Sequence, residues 1–194
     1  MKVCGLTGDV GMGKSTAAGF FVQHGVRVVD TDELARQLVK PGRLALAEIQ
    51  TEFGNEFLRS DGALDRAKLA RLVFSDDSAR DKLEAILHPR IRENWLAQLE
   101  SWRQTNAPMA IVVIPLLFET KAESHFEKII CVACSPEAQQ ERLAARGWSL
   151  ADIKGRIAAQ MPVEQKIARS HFVLWTEGAL EVHSRQIGQI LDRI

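Results

Sequence analysis

Apolar and polar positions along the chain follow two alternating patterns. Short, nearly uninterrupted apolar runs fall at residues 3–6, 26–29, 109–114, 128–133 and 172–175. Runs of four to six such residues predict strands covered on both faces. Between them the apolar positions recur at helical spacing. This predicts helices over about 13–23, 136–146, 150–161, 163–169 and 180–194. Residues 33–105 read as mostly helical, broken at Pro41-Gly42, at Ser60-Asp61-Gly62 and at His88-Pro89, where Pro89 suits the first position of a new helix.

Strands alternating with helices predict an α/β fold with a parallel central sheet, whose ligands bind beyond the carboxyl ends of the strands. The helical stretch between the second and third strands is too long for a plain crossover and predicts a substrate-facing subdomain. With 194 residues, 46% of them hydrophobic, the chain can bury one substantial core. Twenty-five basic residues balance 25 acidic ones, so no global field attracts nucleic acid or an anionic membrane. No apolar run approaches the roughly 18 residues that span a bilayer, and the N-terminus does not read as a signal peptide. The expectation is a cytoplasmic protein, a monomer or weak homo-oligomer. Cys131 and Cys134 have C-x-x-C spacing. No second ligand pair accompanies them, and the apolar neighbours Ile129, Ile130 and Val132 predict a structural, buried role.

The strongest chemical signal is Gly8-Asp9-Val10-Gly11-Met12-Gly13-Lys14-Ser15, a G-x-x-x-x-G-K-S phosphate loop placed between an apolar strand and a helix. Its backbone N–H groups, at Gly11, Met12, Gly13, Lys14, Ser15 and Thr16, are expected to cradle the phosphates of ATP. Lys14 would reach the β- and γ-phosphates, and the Ser15 hydroxyl would ligate Mg²⁺. Asp30-Thr31-Asp32 closes the second strand. A carboxylate there can orient an acceptor hydroxyl and take its proton, or can cap the helix that follows. Arg142 and Arg146 share a helix face and suit a lid that neutralises the transferring phosphoryl group. The alternative is a solvated helix pairing with Glu137 and Glu141. Pro115-Leu116-Leu117-Phe118-Glu119 can wall an apolar pocket or simply fill the core. P-loop proteins usually end the third strand in an Asp that helps hold the metal. Here it ends in Val113-Ile114, so Mg²⁺ is expected to depend on Ser15, the phosphates and water, with Asp32 a further candidate.

Together these features resemble the dephospho-CoA kinase family. The resemblance rests on Gly5-Leu6-Thr7-Gly8 leading into the loop, on Asp30-Thr31-Asp32 with Leu34-Ala35-Arg36, and on Asp61 to Arg66. It continues through Leu83 to Pro89, Pro115 to Glu119 and Arg142 to Arg146, and ends with Arg156 to Met161 and Lys166. It implies a three-layer P-loop NTPase fold. The core would be about 1–32, 107–136 and 170–194, with a helical CoA-binding subdomain at about 33–106 and a small helical lid at about 137–169. It also implies ATP-dependent phosphorylation of the 3′-hydroxyl of dephospho-coenzyme A, the last step of coenzyme A synthesis, with ATP and Mg²⁺ and no nucleic-acid or membrane partner. Asp32 would be the base. Lys14, Arg142 and Arg146 would serve the phosphates, and Arg66, His88, Leu116, Leu117 and Glu119 the acceptor side. The chain departs from the family at Asp9, Met12 and Val113, where Gly, Ser and Asp are usual, and at Ser170-His171 and Thr176-Glu177-Gly178. Asp9 puts a negative charge beside the phosphates and implies weaker ATP binding unless its side chain points away. Rival readings are another small-molecule P-loop kinase, acting on a nucleoside monophosphate or a sugar acid, and a nucleotide-binding regulator without transferase activity.

Overall fold

The computed structural model describes all 194 residues, Met1 to Ile194. They divide into two compact units, one of Met1–Val29 with Trp102–Ile194, the other of Asp30–Ser101.

The first unit is built on a five-stranded sheet of β1 (Lys2–Thr7), β2 (Arg27–Asp30), β3 (Met109–Val113), β4 (Lys128–Ala133) and β5 (Phe172–Trp175), in the order β2-β3-β1-β4-β5. The β1–β3, β1–β4 and β4–β5 pairs are parallel, and Leu6 lies opposite Val113 on one side and Ile130 on the other. All five residues of β3 are buried, as are the last five of β1 and of β4. Central parallel strands covered on both faces need such unbroken apolar runs. One face carries α1 (Lys14–Gln23) and α9 (Leu180–Leu191), whose Ala17, Phe21, Ile187 and Ile190 pack with Cys4, Leu6, Ile111 and Ile130. Phe21 is fully buried, which stabilises the fold by roughly 1.5–3 kcal/mol. The alternate residue Gly5 faces the other side, where Leu117 and Phe126 lie so close that a side chain at Gly5 would collide with them. Helices α6 (Pro136–Ala144), α7 (Leu150–Ala158) and α8 (Val163–Ala168) fill the chain between β4 and β5. Because β2 and β3 lie on one side of β1 and β4 and β5 on the other, strand order reverses at β1. Its carboxyl end is where an α/β sheet forms its binding crevice.

The second unit holds α2 (Thr31–Leu38), α3 (Leu44–Phe53), α4 (Arg66–Ser75) and most of α5 (Asp77–Gln104). Its core is Val39, Leu46, Ile49, Phe57, Leu64 and Leu69, with Leu83, Ile86 and Leu87 of α5 packed against them. The break expected at His88-Pro89 is absent. The helix runs unbroken for 28 residues with Pro89 inside it. An interior proline costs about 3 kcal/mol through its missing N–H and its ring clash. Apolar anchors on both sides outweigh that cost: Leu83, Ile86 and Leu87 before it, and Trp95 and Leu99, each 2% exposed, after it. Each buried side chain of this size contributes roughly 1.5–3 kcal/mol. The Arg90 guanidinium also donates to the carbonyl of Ile86 at 2.6 Å, next to the carbonyl of Ala85, which Pro89 leaves without its usual donor.

Candidate active site

The site is assembled at the carboxyl end of β1. The chain leaves Thr7 and turns at Gly8, whose φ of 139° lies in a region open to glycine and strained for other residues. There is also no room for a side chain, since a Cβ would stand 2.3 Å from the carbonyl oxygen of Val132. Gly8→Ala is therefore expected to destabilise the protein by at least about 2 kcal/mol, combining overpacking with backbone strain. For a chain of this size that lowers Tm by about 5 °C or more. A calorimetric scan showing an unchanged Tm would refute this account of the turn.

The loop ends at Gly13, the left-handed N-cap of α1. No side chain caps this helix and no acidic residue stands in its first turn. A helix start without a side-chain cap or an acid in its first turn is one that can take an anion. By contrast, side-chain oxygens of Asp30, Asp65, Ser135 and Ser149 cap α2, α4, α6 and α7. The Lys14 ammonium folds back over the loop, donating to the carbonyls of Gly8 at 2.7 Å and Asp9 at 2.9 Å. Ser15 and Thr16 are exposed in the first turn. Met12 is 2% exposed and packs with Ala133 and Cys134, so its side chain serves the core while its N–H remains part of the loop.

The loop is braced from α6 and from the segments after α7 and β5. Gln139 donates to the carbonyl of Val10 at 2.7 Å, and the N–H of Val10 donates to Gln160 at 3.2 Å. Arg142 does not pair with Glu137 or Glu141. Its guanidinium donates to Thr176 Oγ1 at 2.9 Å, to the Thr176 carbonyl and to the Gly11 carbonyl at 3.4 Å. Thr176 Oγ1 in turn donates to the Met12 carbonyl at 2.8 Å. Arg142 thus lies against the loop, whereas Arg146, just beyond the end of α6, is exposed. Arg156 lies over the Trp148 ring at 4.4 Å. The Glu177 carboxylate accepts from the Ser135 N–H at the start of α6. That hydrogen bond holds its carboxyl below the usual range.

Asp9 does not point at the phosphate side of the loop. It is 2% exposed, and Oδ1 lies 2.9 Å from the ammonium of Lys166, which has no exposed surface. Lys166 also lies 2.9 Å from Glu119 Oε1 and donates to the carbonyl of Pro115 at 3.0 Å. Burial pushes the Asp9 carboxyl above its usual range, and Lys166 opposes the shift. Leu117 has no exposed surface and fills the core, while Leu116 is half-buried. Cys4, Cys131 and Cys134 are buried. Burial pushes the Cys131 thiol up to about 12 and that of Cys4 up to about 11, which removes their nucleophilic form.

In the second unit, Asp30 is the cap. Its Oδ1 accepts from the Asp32 N–H at 2.8 Å, and Asp32 is exposed in the first turn of α2. Arg66 donates to the carbonyl of Arg36 in the same helix at 3.0 Å. His88 Nδ1 lies 4.0 Å from Glu84, one turn earlier in α5.

A sequence model described as dephospho-CoA kinase matches residues 2–181. The chain belongs to the dephospho-CoA kinase family. A curated dephospho-CoA kinase of Bdellovibrio bacteriovorus is 43% identical, covering 98% of this chain and 95% of the relative. One from Moorella thermoacetica is 45% identical over 93% of this chain and 86% of its own length. Among solved structures, a Thermus thermophilus protein superposes with a TM-score of 0.86 at 36% identity, covering 100% of this chain and 97% of that one. The dephospho-CoA kinase from Campylobacter jejuni gives 0.71 at 26%, covering 99% and 96%. A shikimate kinase from Acinetobacter baumannii, at 14% identity and a TM-score of 0.58 over 100% and 94%, shares the P-loop kinase fold. No helix is long and apolar enough to cross a membrane.

The sequence pointed to Lys14, the loop and Arg142, and these meet in one place. It gave no role to Lys166, Gln139 or Gln160, and flagged Thr176 only as a departure from the family pattern. Lys166 entered only as part of the family resemblance, and the acid at Asp9 inside the phosphate loop was the local sign that a buried cation could stand nearby.

Proposed function

We propose that this kinase transfers the γ-phosphate of ATP to the 3′-hydroxyl of dephospho-coenzyme A. The observation that carries the reading is an uncapped α1 N-terminus behind a formed P-loop, in a chain that matches the family over residues 2–181. N–H groups from Gly11 to Thr16 would hold the phosphates. Lys14 would leave the carbonyls of Gly8 and Asp9 for the β- and γ-phosphates. Arg142, already braced on the loop, and Arg146 would carry further phosphate charge. Asp32 would orient the acceptor hydroxyl and take its proton, with Arg66, His88, Leu116 and Glu119 on the acceptor side. Leu117, having no exposed surface, would act from within the core. The donor set fits Mg²⁺ at the Ser15 hydroxyl, completed by phosphate oxygens and water. The metal would neutralise charge that develops on the transferring group. The enzyme would act as a cytoplasmic monomer or weak homo-oligomer.

The test is an ADP-release assay across dephospho-CoA, shikimate, gluconate and the nucleoside monophosphates. Turnover of dephospho-CoA alone is the expected outcome. Another acceptor used in preference, with dephospho-CoA inert, would overturn the assignment.

A further inference from the structure

Asp9 is held at both ends by lysines. Its backbone carbonyl accepts from Lys14 at 2.9 Å, and its side-chain Oδ1 meets Lys166 at 2.9 Å. Lys166 in turn donates to the Pro115 carbonyl at 3.0 Å and forms ion pairs with two carboxylates, Asp9 Oδ1 and Glu119 Oε1, each at 2.9 Å. These come from two segments, the P-loop and the turn after β3, which supplies Pro115 and Glu119. The Pro115 carbonyl also accepts from Thr7 Oγ1 at 3.1 Å, at the end of β1, and Glu119 Oε1 accepts from the Met161 N–H at 2.9 Å. One buried ammonium on α8 therefore ties the root of the P-loop to the turn after β3 and to the entry of its own helix.

We propose that Asp9 and Lys166 are positioning residues for ATP: their buried ion pair fixes the root of the P-loop, so that Asp9 strengthens nucleotide binding despite its charge. The proposal rests on the P-loop being the ATP site. Two effects of opposite sign compete at Asp9. A carboxylate close to a polyanionic ligand repels it. A carboxylate bound to a buried cation instead fixes the backbone that bears the phosphate-binding N–H groups. Geometry decides for the second. The charge is turned into the protein and matched at contact distance, and the residue is 2% exposed. Lys166 is matched by two carboxylates, so it neutralises Asp9 only in part, and Lys14 is the next cation within reach of the Asp9 backbone. When Lys14 moves to the phosphates, Lys166 still holds the loop.

The test reads ATP binding directly, by calorimetry without acceptor, so that it stands apart from the identity of the acceptor. Asp9→Ala is expected to weaken ATP binding about tenfold or more, the loss typical of a hydrogen bond to a charged group. Asp9→Asn, which keeps the acceptor oxygen, should restore most of it. The KM for dephospho-CoA should stay within about twofold, since no acceptor contact is removed. Lys166→Met should weaken ATP similarly, with Asp9→Ala/Lys166→Met no worse than the poorer single variant, the mark of a shared interaction. Should Lys166→Met fail to fold, Asp9→Ala still decides, because it leaves Lys166 paired with Glu119. Unchanged or tighter ATP binding in Asp9→Ala, or a fall in Tm with ATP affinity preserved, overturns the proposal.

Discussion

Lys14→Ala is expected to reduce kcat by about 10³-fold or more while the protein remains folded. Phosphoryl transfer leaves the enzyme little covalent chemistry, so its catalysis is mostly positioning and charge stabilisation. Removing one well-placed donor to developing charge commonly costs 10²- to 10³-fold. In the proposed mechanism Lys14 would do more than such a donor, because it would also help to place ATP. In the free enzyme its ammonium rests on the carbonyls of Gly8 and Asp9 at 2.7 and 2.9 Å. These are acceptors it can exchange for phosphate oxygens at little cost, since one set of charge-assisted hydrogen bonds replaces another. Its loss should leave the sheet and the cluster around Phe21 untouched, because Lys14 belongs to neither. The check is steady-state kinetics with saturating ATP alongside a thermal scan. A kcat within tenfold of wild type, with the fold intact, would remove Lys14 from the mechanism.

The elements that position this lysine were legible in the sequence for a physical reason. β3 is buried at all five positions, and a strand covered on both faces writes itself as a continuous apolar run. The P-loop was legible because its backbone geometry can be met by few residues. At Gly8 the Val132 carbonyl excludes a Cβ, and that exclusion appears as a fixed glycine. Local rules failed where distant packing decided. Pro89 reads as a boundary by its missing N–H, yet Trp95 and Leu99 beyond it are buried and carry the helix through. The Asp9–Lys166 pair joins residues with no periodic relation, so no window along the chain could display it. Asp9 read as an anomaly at the phosphate site because its partner was out of view. Arg142 was read from its helical spacing to Arg146 alone, and Thr176, which holds its guanidinium, comes from the chain after β5.

Asp32→Asn is expected to lower kcat by at least about 10²-fold with ATP binding retained, and the capping geometry supplies its control. From the sequence alone Asp30, Thr31 or Asp32 could each cap the helix. In the structure Asp30 serves it, accepting from the Asp32 N–H at 2.8 Å. The Asp32 carboxylate is exposed in the first turn of α2. An ionised carboxylate is what a general base requires, and loss of such a base usually costs 10²- to 10⁴-fold. Asn keeps the shape and one acceptor oxygen but cannot take the proton. Asp30→Ala removes the cap instead. It should cost about 1 kcal/mol of stability and far less activity. The two variants therefore separate a structural role from a chemical one at neighbouring carboxylates. If Asp30→Ala and Asp32→Asn lowered kcat equally, both effects would trace to the start of α2 as a unit. If Asp32→Asn kept its rate, the proton would have to leave the acceptor hydroxyl by another route.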